Sequence, residues 1–103
     1  MNPEYKIIIS DAAFSMLDTH MDFLAKASQN AAIKVKDKII EDMRSLQENP
    51  QRFPVYESPF ITDTKYRKMV SGKRYLIIYE ITNKTVFIDY ILDCRQDYEW
   101  LVF

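Results

Sequence analysis

The C-terminal third of the sequence contains three apolar segments separated by two short turns. Residues 65–70, 74–81 and 85–92 alternate and are rich in the β-branched and aromatic side chains that favour strands. The turns are Ser71-Gly72-Lys73 and Thr82-Asn83-Lys84, and connections this short join antiparallel neighbours. The sequence therefore predicts a three-stranded antiparallel meander, which needs other elements to cover one of its faces.

Two helices and a further strand precede this meander. Residues 4–9 alternate like a strand, and Ser10-Asp11 then offers the side-chain oxygens that cap a helix N-terminus. The helical spacing of apolar residues extends to about Ala27, Ser28-Gln29-Asn30 caps a second helix, and Asn49-Pro50 ends it. The predicted buried stripes are Ala13, Phe14, Leu17, Met21 and Leu24 in the first helix and Ala32, Val35, Ile39, Met43 and Leu46 in the second.

The order of elements is β-α-α-β-β-β, with a loop at residues 50–64 and a short helix or coil from about Arg95. We expect an α+β fold in which the helical hairpin packs on a four-stranded antiparallel sheet. Phe53, Tyr56 and Phe60 are expected to pin the loop. Strict alternation along the last strand predicts one apolar face and one mixed face, and the mixed face is suited to a partner. The apolar set is Val86, Ile88, Tyr90 and Leu92, and the mixed set is Phe87, Asp89, Ile91 and Asp93.

Composition limits the class of protein. The 103 residues predict a single domain, residues 1–103, and an apolar fraction of 48% is that of a globular chain. No apolar run reaches the roughly 20 residues that span a bilayer, and the N-terminus lacks the basic and apolar regions of a signal peptide. The single cysteine, Cys94, excludes an internal disulfide and a cysteine-based zinc site. We therefore expect a cytoplasmic protein.

Charge is distributed unevenly along a chain whose net charge is −1. Residues 65–84 contain six lysines and arginines but only one acidic residue, Glu80. Such a band can contact an acidic partner locally, although the chain lacks the overall positive field that drives tight nucleic-acid binding. Two interpretations stay open: the band is an anion-binding strip, or it is a solvated hairpin edge protected against aggregation. Its central members are Arg67, Lys68, Lys73 and Arg74.

Several other residues have a structural interpretation beside a functional one. The lone His20 lies in the apolar stripe of the first helix, which favours a structural role, and Tyr75 and Tyr79 are expected in the core. Cys94 is expected to be a half-buried filler. Near the C-terminus, Asp93, Arg95 and Asp97 form either a functional rim or a surface salt-bridge cluster. The apolar residues that follow, Trp100 to Phe103, would clamp the tail on the core.

The ordered set of these segments resembles the RelE/ParE toxin superfamily of bacterial type II toxin–antitoxin modules. The resemblance covers nearly the whole chain, from "YKIIIS", "DAAFSML" and "LQENP" to "KYRKMVSGKRYLIIYEI" and "TVFIDYILDCRQD". It implies a small cytoplasmic toxin, with no membrane segment, that a cognate antitoxin wraps and neutralises. Members of the superfamily either cut ribosome-bound mRNA or inhibit DNA gyrase, and a homodimer or a toxin–antitoxin hetero-oligomer is compatible with both activities.

The resemblance also implies candidate catalytic residues. The ribonuclease branch works without a metal or cofactor and uses basic residues, His, Glu and Tyr to move protons and to stabilise the scissile phosphate. The residues that match it, or could replace its groups, are Arg67, Lys68, Arg74, Arg95 and Tyr98. Leu76 stands where that branch usually has an arginine, and Asp97 stands where some members have a histidine. An ordinary aspartate, with a pKa near 4, is a poor general acid at neutral pH.

Three functions follow. The first is a ParE-like or attenuated toxin that acts on gyrase or another macromolecule without efficient catalysis. The second is a RelE-type, ribosome-dependent mRNA endoribonuclease. The third is a non-toxic binding module that acts with an antitoxin in autoregulation. The departures at Leu76 and Asp97 favour the first.

Overall fold

The computed structural model describes residues 4–57, 65–72 and 74–94. The predictions for Phe60, Lys73 and the segment from Arg95 lie outside these residues. The fold is two helices packed on a four-stranded sheet, which confirms the predicted α+β class. Its elements are β1 (Lys6–Ile9), α1 (Asp11–Ala27), α2 (Gln29–Ser45), a short 3₁₀ turn (Pro50–Arg52), β2 (Tyr66–Ser71), β3 (Tyr75–Thr82) and β4 (Thr85–Asp93).

Two serines define the helical hairpin, as the sequence predicts. The Ser10 side chain accepts a hydrogen bond of 3.0 Å from the Ala13 amide, and the Ser28 side chain accepts one of 3.1 Å from Ala31. The Ser28 amide also donates to the Leu24 carbonyl at the end of α1. Ser28 therefore closes one helix and opens the next, because its extended backbone (φ −161°) reverses the chain within a single residue.

The sheet has the strand order β1-β4-β3-β2. The pairs β2–β3 and β3–β4 are antiparallel as predicted, and Gly72 and Asn83 have positive φ angles in the two turns. The prediction of a wholly antiparallel sheet is wrong, because β1 pairs with β4 in parallel, from Lys6 beside Thr85 to Ile9 beside Ile88.

The direction of the helices accounts for this parallel pair. Helix α1 continues in the direction of β1, and α2 returns to the start of β1, where the Tyr5 amide donates to the Gln47 carbonyl at 3.0 Å. The meander therefore begins at the same end of the sheet as β1. Since β2, β3 and β4 alternate in direction, β4 runs parallel to β1.

Beyond the end of β1, the N-cap and a side chain of α1 form hydrogen bonds with carbonyl groups of β4. The Ser10 hydroxyl donates to the Asp89 carbonyl at 3.1 Å, and His20 Nε2 lies 2.8 Å from the Ile91 carbonyl oxygen. A carbonyl can only accept, so Nε2 carries the proton in this hydrogen bond. The His20 ring also contacts Tyr75, with the ring centroids 5.4 Å apart. The contacts of His20 are therefore those of its predicted structural role: they fasten α1 to the part of β4 that continues beyond its pairing with β1.

The main core lies between the helices and the sheet. Phe14 is 51% exposed, so its predicted place in the α1 stripe is wrong, whereas Tyr75 and Tyr79 are buried as predicted. A smaller cluster on the other face buries Tyr66, Ile78 and Leu92. No described helix is long and apolar enough to cross a membrane. The main core contains Ala13, Leu17, Met21, Ile39, Met43, Leu46, Met69, Tyr75, Ile77, Tyr79, Val86, Ile88 and Ile91.

Candidate functional site

Arg67 holds the loop that follows α2. Its Nη1 donates to the Phe53 carbonyl at 2.6 Å and to the Gln51 carbonyl at 3.2 Å. Its neighbour in the sheet register, Tyr79, donates its hydroxyl to the Pro50 carbonyl at 2.6 Å. Burial raises the pKa of Tyr79 to about 12, so this hydroxyl stays a donor at neutral pH. Together the two side chains tie the Pro50–Arg52 turn to the sheet.

Arg74 lies beside a buried carboxylate. Its Nη2 is 3.5 Å from Asp93 Oδ2, and Asp93 is only 3% exposed. The guanidinium carbon is 5.4 Å from the centre of the Tyr75 ring. Arg74 Nε is buried and has no hydrogen-bond partner in the described part of the chain. The positive charge of Arg74 is therefore compensated chiefly by Asp93.

The structure does not bring the described candidate residues together. Lys68 lies on the face opposite to Arg67, because adjacent residues of a strand point to opposite faces. Arg67 contacts the loop after α2, and Arg74 contacts the end of β4. Arg95 and Tyr98 lie outside the described residues, so their roles and the C-terminal clamp stay predictions.

Cys94 directly follows Asp93 and is exposed rather than half-buried. Desolvation and the neighbouring Asp93 carboxylate raise the pKa of its thiol. A raised pKa keeps the sulfur protonated, which is the opposite of what a reactive cysteine requires.

Sequence reasoning missed a cluster of carboxyl groups on the face away from the helices. Asp89 forms hydrogen bonds with the side chains of Glu80 and Tyr66, and Glu80 also pairs with Lys65 at 3.5 Å. Burial, followed by the hydrogen bond and charge of Glu80, raises the pKa of Asp89 to about 6. Burial and Asp89 likewise raise the pKa of the Tyr66 hydroxyl. The cluster therefore holds a carboxyl group that titrates close to neutral pH.

A β-bulge creates this cluster. The register shifts between Ile78, which faces Tyr90, and Tyr79, which faces Ile88, so Asp89 is the extra residue. Before the bulge, Val86 and Ile88 face the helices as one alternating set, whereas after it Ile91 faces them and Leu92 does not. The predicted face assignment of the last strand therefore holds as far as Asp89 and is wrong from Tyr90 onward. The only signal in the sequence was a charged residue, Asp89, within an otherwise apolar strand.

Replacing Asp89 by Asn is expected to stabilise the protein at neutral pH. The folded state raises the pKa of Asp89 from 3.8 to about 6, so ionisation costs folding free energy as pH rises from about 4 through about 6. Asn does not ionise, and after allowance for solvent screening we expect a gain of about 1 kcal/mol at pH 7 and almost none at pH 4. Urea unfolding at both pH values measures the difference. An equal effect at the two pH values would contradict this explanation.

Comparison with known proteins identifies the family. The family model described as "ParE toxin of type II toxin-antitoxin system, parDE" matches residues 7–98. The chain belongs to the ParE toxin family. The match begins within β1 and extends beyond β4, so it includes the helices and all four strands, and it makes the chain a type II toxin. No curated protein sequence matches the chain.

The ParE-family fold is also found in a solved structure, that of a chromosomal ParDE toxin–antitoxin system from P. aeruginosa. The TM-score is 0.72, and the alignment covers 89% of this chain and 98% of the other. Only 16% of the aligned residues are identical. The similarity thus concerns the fold, which tolerates replacement of most side chains.

Proposed function

We propose that this ParE-family toxin arrests growth by inhibiting DNA gyrase through binding rather than by cutting mRNA. Its membership of the ParE family supports DNA gyrase as the target, because the sequence resemblance implies that ParE-like members of the superfamily inhibit gyrase. We further propose that a cognate antitoxin, bound as a hetero-oligomer, neutralises the toxin in the cytoplasm. Similarity to a chain of a ParDE toxin–antitoxin system supports that partner.

The contacts of Arg67 favour binding over catalysis. A catalytic arginine must direct its donors at the scissile phosphate. Nη1 of Arg67 instead donates to two loop carbonyls, and Arg74 lies against Asp93. Leu76, in place of the usual arginine of the nuclease branch, removes a further donor. These features favour a toxin that inhibits its target by binding it rather than by cleaving RNA.

Parallel assays with purified components test this proposal. The toxin should inhibit DNA supercoiling by gyrase and leave ribosome-bound mRNA intact, and equimolar antitoxin should restore supercoiling. Cleavage of mRNA at the ribosomal A site would overturn the proposal. Expression without any effect on growth would instead support a non-toxic binding module.

One observation favours metal-independent cleavage of RNA as a second candidate. Asp89 has a pKa of about 6, which suits a general acid–base group, and it lies on the same face as Lys68. Under this alternative, Lys68→Ala and Asp89→Asn should each abolish cleavage of ribosome-bound mRNA while the variants stay folded. Cleavage at the parental rate in both variants would remove these residues from the mechanism.

A further inference from the structure

A polar cleft of about 870 Å³ lies at the end of the molecule where α2 stops. It is bounded by the start of β1, the β3–β4 turn and the Pro50–Arg52 turn. Of the candidate catalytic residues, the described ones (Arg67, Lys68 and Arg74) do not line it. Its lining includes Tyr5, Arg44, Glu48, Asn49, Arg52 and Lys84.

The lining of the cleft is positively charged in a chain whose net charge is −1. Arg44, Arg52 and Lys84 face it, against a single carboxylate, Glu48, among the described lining residues. Neither Arg44 nor Lys84 forms an ion pair with another described residue; Lys84 Nζ lies 4.9 Å from the centre of the Tyr5 ring. The cleft therefore carries two cations that form no ion pair among the described residues, and Glu48 is the one carboxylate of its described lining.

Arg52 lies against the C-terminal end of α2. The C-terminus of a helix carries a partial negative charge on its free carbonyl groups. Arg52 Nη1 donates to the carbonyls of Ser45, Glu48 and Asn49, and Nη2 donates to the Ser45 hydroxyl at 2.9 Å. Of these carbonyls, only that of Ser45 belongs to α2, and those of Glu48 and Asn49 follow it. Arg52 thus offsets part of the negative charge at this end of the chain segment, and Arg44 and Lys84 remain as further cations of the cleft.

The wall of the cleft is held in place from several sides. The Pro50 carbonyl is fixed by the buried Tyr79, and the Gln51 carbonyl is fixed by Arg67. The Gln51 side chain donates to the Tyr5 hydroxyl at 2.6 Å. Asn49 adopts the left-handed conformation (φ 52°), which is uncommon for a residue other than glycine. The cleft is thus a preformed feature, and preformed sites lose less entropy when they bind a ligand.

We propose that this cleft binds a phosphate-bearing ligand, either a free nucleotide or the sugar–phosphate backbone of a nucleic acid. Arginine, lysine and side-chain amides are the groups that contact phosphate oxygens in proteins. The volume is within the range of small-molecule sites, and the Tyr5 ring offers an aromatic surface beside Lys84. The proposal of a phosphate site does not depend on whether the toxin acts on gyrase or on mRNA.

Binding to the full-length chain at low ionic strength tests the proposal with two probes. ATP is titrated calorimetrically, and a fluorescein-labelled single-stranded DNA oligonucleotide is followed by anisotropy. At least one probe should bind, and added salt should weaken it. Lys84→Gln and Arg44→Gln should each weaken binding about tenfold, since each removes a charged contact to phosphate. Tighter binding of ATP identifies a nucleotide site, and tighter binding of the oligonucleotide identifies a backbone site.

Lys34→Gln is the matched control. Lys34 is exposed on the same helix, about 15 Å from Arg44 along its axis, and its replacement removes the same charge. It should leave the affinity unchanged. Arg44 and Lys84 are both exposed, so thermal unfolding should show all three variants folded. Failure of both probes to bind would overturn the proposal, as would an equal loss of affinity in Lys34→Gln.

Discussion

Replacing Asp93 by Ala is expected to lower the free energy of unfolding by about 3 kcal/mol. Asp93 is 3% exposed, and its Oδ2 lies 3.5 Å from Arg74 Nη2. Without the carboxylate, Arg74 keeps a guanidinium that is largely withdrawn from water, and its Nε already lacks a partner among the described residues. A mutation that leaves a partly buried charge without a compensating partner is one of the few kinds of substitution that cost several kcal/mol. Urea unfolding at neutral pH measures the loss.

Asp18→Ala serves as the control, because it removes the same charge from an exposed position of α1. It should change stability by less than about 0.5 kcal/mol. The pair Asp93–Arg74 can be isolated further by a double-mutant cycle with Arg74→Ala, in which part of the loss should be recovered once both charges are gone. A loss below about 1 kcal/mol in Asp93→Ala would show that Arg74 does not depend on this carboxylate.

Replacing Arg67 by Ala is expected to destabilise the protein by about 2 kcal/mol. The change removes charge-assisted hydrogen bonds to the Phe53 and Gln51 carbonyls, so that Tyr79 alone of this pair still ties the Pro50–Arg52 turn to the sheet. Chemical denaturation measures the global loss. Hydrogen exchange of the Arg52 amide, which donates to Asn49 in this turn, should increase as well.

Lys68→Ala is the matched control for Arg67, since it removes a cation from the next residue of the same strand but on the opposite face. Its stability should stay within about 0.5 kcal/mol of the parent. If Arg67 is an anchor, growth arrest by Arg67→Ala should decline only as the folded fraction declines. A variant that is fully stable yet no longer toxic would instead give Arg67 a direct role in the action on the target, by contact or by catalysis.

Local features of the sequence determined the helices and the meander. Ser10 and Ser28 cap the helices they were predicted to cap, because a cap is satisfied by amides only three residues away. The turns at Gly72 and Asn83 likewise join the predicted strands. Each of these features depends on residues close in sequence, so the residues themselves carry the information.

Only the tertiary structure decided the direction of β1, the bulge at Asp89 and the partners of Arg67 and Arg74. The parallel pairing of β1 depends on where α2 ends, and the bulge depends on the register between two strands. Arg67 was proposed for catalysis from its position in a basic segment, yet its partners, Gln51 and Phe53, lie in a loop 16 and 14 residues away. These outcomes depend on contacts between distant segments, which neither alternation nor capping specifies, because both describe a residue only relative to its neighbours along the chain.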